Sequence, residues 1–427
     1  MANSFDSNVT RKLARVFLEK FESARVHSKN VNTQLLKGKF NPSSGSTVDF
    51  KRPTDYKSVR TAAGDISSSG ASDIITGKAT GTVQNYFTVN VDFSEADQAI
   101  KMDQLDQLLA PMATRICTDL ELDFADFMMD NGGLYAGTVG TAATTWDHIA
   151  EAGAVMQAHG VPQDAPWYYT VNPYTQRNLA SNQRSLGAGG AAGAPIVSAH
   201  EKATITEMFA GFDKVMTATT LPTWTRAATA DVAGIVASDP DVTYATHKDT
   251  MKQSIAVSGF TAGTVVKAGT VISIAGRYAL NKNTRQPIVD ENGNKVVFTA
   301  VVTADVTLTA GAGTLVVAGP GIYEAAGSYN TVDSAIVTND VVTLLGGTDA
   351  LTAAPNLFWH KNAYAIGSVP IEKLYSTDTL ATTEDGLQFR VSKYADGDKN
   401  IQTVRFDFRP AYSCLNPFFG GQGYGSA

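Results

Sequence analysis

Cysteine is nearly missing from this chain of 427 residues: Cys117 and Cys414 are the whole supply, at a spacing that fits no zinc or redox motif. Disulfides therefore do not hold the fold together, and both residues read as structural thiols. Histidine is scarce as well, at six (27, 148, 159, 200, 247 and 360), with no H-E-x-x-H among them. Glu151 lies one helical turn after His148, but His159 is too far along for both imidazoles to reach one ion, which leaves a helix-surface pair and no metal. His200-Glu201 reads as a helix start after a glycine loop. No apolar run approaches the roughly 18 residues of a membrane span, and the start MANSFDSNVTRKLARVF has no signal-peptide apolar core, so synthesis in the cytoplasm and no membrane partner are expected. There is no G-x-S-x-G nucleophile elbow, no zinc-finger spacing and no aromatic-basic RNP signature. DENGNK and DGDKN lack the oxygen-ligand spacing and distal Glu of a calcium loop and read as turns. The site expectation is accordingly empty: no catalytic, cofactor-binding or metal-binding residues, and no cofactor.

What is present is a composition that is 43% hydrophobic and 9% aromatic, ordinary for a globular protein of two or three domains. The net charge of −7 is uneven. Residues 11–60 carry twelve Lys/Arg against four acids, a local excess of +8 that leaves −15 on the remainder. A basic arm on an acidic body can meet nucleic acid or an acidic protein surface by charge. The glycines of TADVTLTAGAGTLVVAGPG (303–321) pose a second question, because glycine between apolar runs can cradle a phosphate. A Walker loop needs Lys and Ser/Thr after its last glycine, and neither follows here. Gly311, Gly313 and Gly319 flank a β-like run, so they read as strand corners.

Periodicity supplies the elements. Leu13, Val16, Phe17 and Phe21 recur at helical steps behind Thr10, a candidate N-cap. STVDFKRP and the alternating TVQNYFTVNVDF, joined by a long polar loop, read as an extended hairpin with little to bury by itself. Leu105, Leu109, Met112, Ile116, Leu120, Phe124 and Phe127 mark the strongest helix, with either a kink at Pro111 or a start there. A further helix carries Trp146, Ile149, Ala152 and Met156 on one face and ends at Gly160-Val161-Pro162. PWYYTVNPY and QRSLGAGGAAGAP follow as strand, turn and loop. From 223 to 357 charge thins and Val, Thr, Ala and Gly take over in short β-like runs, an inserted all-β barrel or sandwich in which Asn292-Gly293 signals a hairpin turn with two positive φ values. Trp359, at a strand end, reads as core.

The order of these pieces, with AGFDKVMTATTLP (210–222) and NLFWHKNAYAI (356–366) flanking the insertion, VNPY (171–174) and the tail NPFFGGQGYG, resembles tailed-bacteriophage major capsid proteins of the HK97 type, and within them the P22 coat protein family. The resemblance implies an α+β fold with an N-terminal arm (1–43), an extended loop (44–98), a spine helix (99–131), peripheral and axial parts of the body (132–222 and 358–427) and an inserted β-barrel domain (223–357). It also implies a non-enzymatic shell protein that forms hexamers and pentamers of an icosahedral head around double-stranded DNA. The implied partners are further copies of itself, a scaffolding protein, a portal and DNA bound without base reading, with assembly in the host bacterial cytoplasm. SDPDVTYATHKDTMK, where the family has a projecting polar loop, departs from that pattern, and no contact residues between capsomers are assigned to it. The competing class is a β-rich carbohydrate- or surface-binding module of a phage tail or secreted protein, disfavoured by the long helix and the aromatic-poor insertion. An enzyme with an unrecognised site is disfavoured more strongly.

Overall fold

Alternating apolar residues in the low-charge stretch build a closed six-stranded barrel. Its strands run around the wall as Val271–Tyr278, Val297–Val302, Gly313–Ala318, Lys252–Ser258, Ala233–Val236 and Val341–Leu344, with every neighbouring pair antiparallel. Closure removes the unpaired edges that short strands would otherwise expose. Inward positions alternate with outward ones, so Ile255 and Val257, Leu315 and Val317, and Ile272 and Ile274 meet in one buried core with Phe298 and Leu344. The chain enters and leaves this region through a two-stranded ribbon, Trp224–Arg226 paired with Leu351–Ala353.

The structure is a computed structural model of the single chain, describing residues 6–33, 47–52, 56, 58–67, 74–94, 105–185, 199, 201–325, 327–369, 371–375, 378–396, 398 and 401–426. It divides into two units, Met1–Asp49 with Thr80–Ala125 and Tyr364–Ser413, and Phe50–Ala79 with Asp126–Ala363 and Cys414–Ala427.

In the first unit, the helix Asp6–Ala24 packs its Phe17 and Phe21 against the strands Thr379–Thr382 and Gln388–Asp396. It begins before Thr10, which is therefore an interior residue and not the cap. The side chains of Leu13 and Val16 lie outside the described residues. The expected hairpin is corrected. Thr47–Lys51 does lie beside Lys78–Val83, but the run TVQNYFTVNVDF breaks at 84–86, and Phe87–Ser94 joins a different sheet, where it pairs over its full length with Ile401–Phe408. Half-buried Phe87, Val89 and Val91 gain from that partner what a free hairpin does not provide. Parts of the intervening loop, 53–55, 57 and 68–73, lie outside the described residues.

The long helix spans Leu105–Asn131, roughly 40 Å at 1.5 Å per residue, and runs through Pro111 instead of starting there. Proline lacks the N–H that would bond the carbonyl four residues back, so the helix carries one missing bond. Met112, Ile116, Leu120 and Phe124 are buried, as the spacing predicts, while the side chains of Leu105 and Leu109 lie outside the described residues.

In the second unit, a five-stranded sheet has the order Leu134–Ala136, Gly420–Gly423, Asn356–His360, Trp167–Val171, Lys214–Thr217. The helix Trp146–Ala158 covers it with Ile149, Ala152 and Met156. Trp146 does not share that buried face; it is 51% exposed, because it is the first residue of the helix. The helix closes with Gly160 bonding Gln157 O and Val161 bonding Met156 O, a Schellman end. VNPY is more than a turn. Asn172 accepts from the Tyr174 N–H at 2.9 Å and Pro173 takes the first helical position of Pro173–Ser185, so a helix starts where the sequence predicts only a turn. Trp359 is fully buried between Trp167–Val171 and Gly420–Gly423.

The glycines of the tail serve close packing. Gly420–Gly423 is a central, fully buried strand, and a Cβ on Gly421 would overlap the Leu134 carbonyl. Gly421→Ala is expected to cost about 1–3 kcal/mol through forced backbone shifts, read as a lowered midpoint in urea unfolding. An unchanged midpoint would show that the parallel pairing with Leu134–Ala136 is not tight.

Candidate functional site

Gly311 settles the phosphate question. It takes φ +75°, a Cβ there would overlap the Phe260 carbonyl, and its own N–H is bonded to Leu308 O. It turns the chain from the strand Val306–Leu308 into Gly313–Ala318, and Gly319 leaves that strand at φ +79°. No helix start follows, so no anion cradle exists there. Asn292-Gly293 needs a correction: Gly293 has φ +82°, but Asn292 does not take positive φ. Asp290 Oδ1 accepts from the N–H groups of Asn292 and Asn294 at 2.9 and 2.7 Å, which holds the turn in a type I form followed by a left-handed glycine. DGDKN lies partly outside the described residues.

The described histidines are occupied structurally. His148 Nδ1 accepts from the Thr144 N–H at 3.0 Å and closes the capping box of Thr145, while Glu151 accepts from Gly137 N at 3.3 Å and Ser426 Oγ at 2.6 Å. His159 donates from Nδ1 to Val155 O at 2.8 Å, and burial pushes its pKa down to about 4. His247 bridges the carbonyls of Lys252 and Asp241, inside the compact loop of SDPDVTYATHKDTMK. His360 pairs with Asp164 at 3.1 Å, and His200 lies outside the described residues. Among the described residues no group of His, Cys, Asp and Glu is placed to hold a metal, and no helix is long and apolar enough to cross a membrane. Burial raises the Cys117 thiol to about 12 and the Cys414 thiol to about 11, which keeps both unreactive at neutral pH.

Two polar junctions tie together parts of the chain that are distant in sequence. In the first unit, buried Glu121 on the long helix accepts from His27 N (2.6 Å), His27 Nδ1 (3.0 Å), Ser28 N (3.1 Å) and Ser28 Oγ. Arg25 completes the cluster, donating to Ser28 Oγ and Ser28 O and pairing with Asp385 at 2.8 Å. Burial alone would raise the Glu121 carboxyl, but the bonds from His27 and Ser28 outweigh it and hold it below its ordinary value. In the second unit, the barrel loop 281–285 caps the end of the helix Trp146–Ala158. Asn281 Nδ2 donates to Ala158 O at 2.8 Å, Lys282 N to His159 O at 3.2 Å, and Asn283 Nδ2 to Gly160 O at 3.2 Å. These three bonds satisfy carbonyls that a helix end leaves open. Neither junction is legible in the sequence, since an Asn-rich loop and a lone acid in a helix carry no pattern that names their partners.

Elsewhere the surface is unusual in one stretch. Tyr56, Val59, Ile66 and Ile74 are all exposed, between 42% and 71%. On the arm helix, Arg15 and Lys20 point outward.

Comparison with known proteins decides the family. The sequence profile described as "P22 coat protein - gene protein 5" matches residues 1–425, nearly the entire chain. The chain belongs to the P22 coat protein family. The "Major capsid protein" of Acyrthosiphon pisum secondary endosymbiont phage 1 is 36% identical over 431 residues, covering 100% of both chains. Two solved structures, one of Mycobacterium phage Che8 and one of the capsid of Ralstonia phage GP4, align at TM-scores of 0.45 and 0.43 with 11% and 9% identity, covering 93% and 94% of this chain and 90% and 91% of theirs. The assignment rests on the sequence matches. This coat protein is thus a structural component of a phage capsid, and the polar clusters above are internal fasteners of a shell subunit.

Proposed function

We propose that this coat protein self-assembles, as hexamers and pentamers, into the icosahedral head of a tailed phage that encloses double-stranded DNA, without catalytic activity. The observation that carries the reading is the full-length match to the P22 coat family. The exposed apolar side chains at 56–74 support it, because a segment that buries little in its own chain gains area from a neighbouring copy. We propose the HK97-like layout for the subunit: arm 1–43, extended loop 44–98, spine helix 99–131, body 132–222 and 358–427, inserted domain 223–357. The +8 of residues 11–60 suits an inward face that meets a scaffolding protein or the packaged DNA by charge. A portal and assembly in the host cytoplasm complete the proposal. Electron microscopy of the purified protein, alone and with its phage neighbours, is expected to show closed shells. Small oligomers that never close would sink the reading.

A further inference from the structure

Lys282 is the residue at the barrel junction whose chemistry the capping role leaves unexplained. As a residue it is half-buried, yet its Nζ lies in the packed interior, 4.1 Å over the Phe418 ring and 4.8 Å over the Phe419 ring, and donates to Asn416 Oδ1 at 3.1 Å. The cavity that it lines with Gly133, His159 and Phe418 is about 10 Å³, room for one water at most. Among the described residues no carboxylate pairs with it. The charged and titratable groups that face it are Arg285 on its own loop, Arg52 after the strand Thr47–Lys51, Cys414 at the end of the strand Pro410–Cys414, and His159 at the helix end. Arg52 is itself committed to carbonyls, donating from Nε to Lys78 O at 3.1 Å and from its terminal nitrogens to Leu415 O and Cys414 O. His159 stays neutral and the Cys414 thiol stays protonated, so neither supplies a negative charge at neutral pH.

A buried lysine placed beside two arginines holds its ammonium less easily than it would in water. The rings and Asn416 offset part of the cost of the charge, and Arg285 and Arg52 add to it. The same loop carries the three bonds to the end of the helix Trp146–Ala158, so whatever displaces Lys282 releases those carbonyls too. We propose that Lys282 is a charge-operated latch between the inserted barrel and the sheet-and-helix body: as a neutral amine it seats loop 281–285 on the helix end, and as an ammonium it loosens that seat.

The sign follows from linkage. Burial first, then Arg285 and Arg52, depress the folded-state proton affinity of Lys282 below that of the unfolded or opened loop. The open form therefore binds more protons between the depressed value and the ordinary lysine value of about 10.4, and closure strengthens as pH rises through that window. Hydrogen exchange on the full-length chain tests this, with amides of 279–285 and 156–161 as reporters and the barrel-wall amides of 252–258 and 313–318 as controls. After correction for intrinsic exchange, wild-type reporters should gain protection as pH rises toward the ordinary lysine value of about 10.4, by at most about tenfold per pH unit, beyond any gain in the controls. Lys282→Met should be more protected than wild type at neutral pH, with no such slope. Lys282→Arg, permanently charged, should be less protected at every pH. A wild-type slope that survives in Lys282→Met, or reporters that follow the controls in wild type, overturns the latch. Since the second outcome needs no variant, a substitution that fails to fold leaves the proposal open to refutation.

Discussion

Phe17→Ala is expected to remove about 3–5 kcal/mol of stability and to free the arm helix from its sheet. Phe17 is fully buried, stacked on Phe406 at 4.5 Å with an interplanar angle of 13° and edge-on to Phe389 at 5.2 Å. Phe21 meets Phe389 at 4.6 Å, and Phe389 stacks on Phe408 at the same distance. These five rings form one aromatic core to which the helix Asp6–Ala24 contributes only two, so truncating either leaves a cavity the strands cannot close. Urea unfolding of the unassembled chain would show the loss as a lowered midpoint, while Arg15→Ala on the exposed face should stay within about 0.5 kcal/mol. A Phe17→Ala loss under about 1 kcal/mol would mean that the helix does not dock on this sheet in solution.

Glu121→Ala is the second large effect, about 3–5 kcal/mol, and its mechanism differs. The carboxylate accepts from two backbone N–H groups and two side chains at 27 and 28, and its removal takes away the acceptor that these buried donors share. The expected signature is a dependence on pH. Because the folded-state value is held below the unfolded value of about 4.3, the contribution is complete above that pH and is lost as pH falls through the folded value. The gap between wild type and Glu121→Ala should therefore shrink only below about pH 4.3, in unfolding measurements at a series of pH values. A gap that closes well above that would place the carboxylate outside the cluster.

How far the chain could be read depended on whether the signal was local. The long helix and the helix Trp146–Ala158 were legible because Ile116, Leu120 and Phe124, or Ile149, Ala152 and Met156, repeat at the pitch of the element that buries them. The barrel strands were legible for the same reason at period two. Pro111 shows the limit: propensity leaves a helix start and a kink open, and only the structure shows that the helix continues upstream to Leu105. Phe87–Ser94 shows it again, since an alternating strand does not state its partner, and pairing with Ile401–Phe408 is chosen by residues more than 300 positions away in the chain.

By itself, then, the sequence determined the long helix, the helix that carries Ile149, Ala152 and Met156, the low-charge β-rich stretch, the basic front of the chain and, through its flanking blocks, the family. Those are properties of short windows, in which periodicity and charge are written residue by residue. The tertiary structure alone decided that Gly421 must be glycine, that Glu121 collects its donors from 27 and 28, and that an unremarkable Asn-Lys-Asn turn fastens the barrel to a helix end. Each of these depends on groups that are distant in the chain and adjacent in space, where burial multiplies the weight of a single hydrogen bond, charge or missing Cβ.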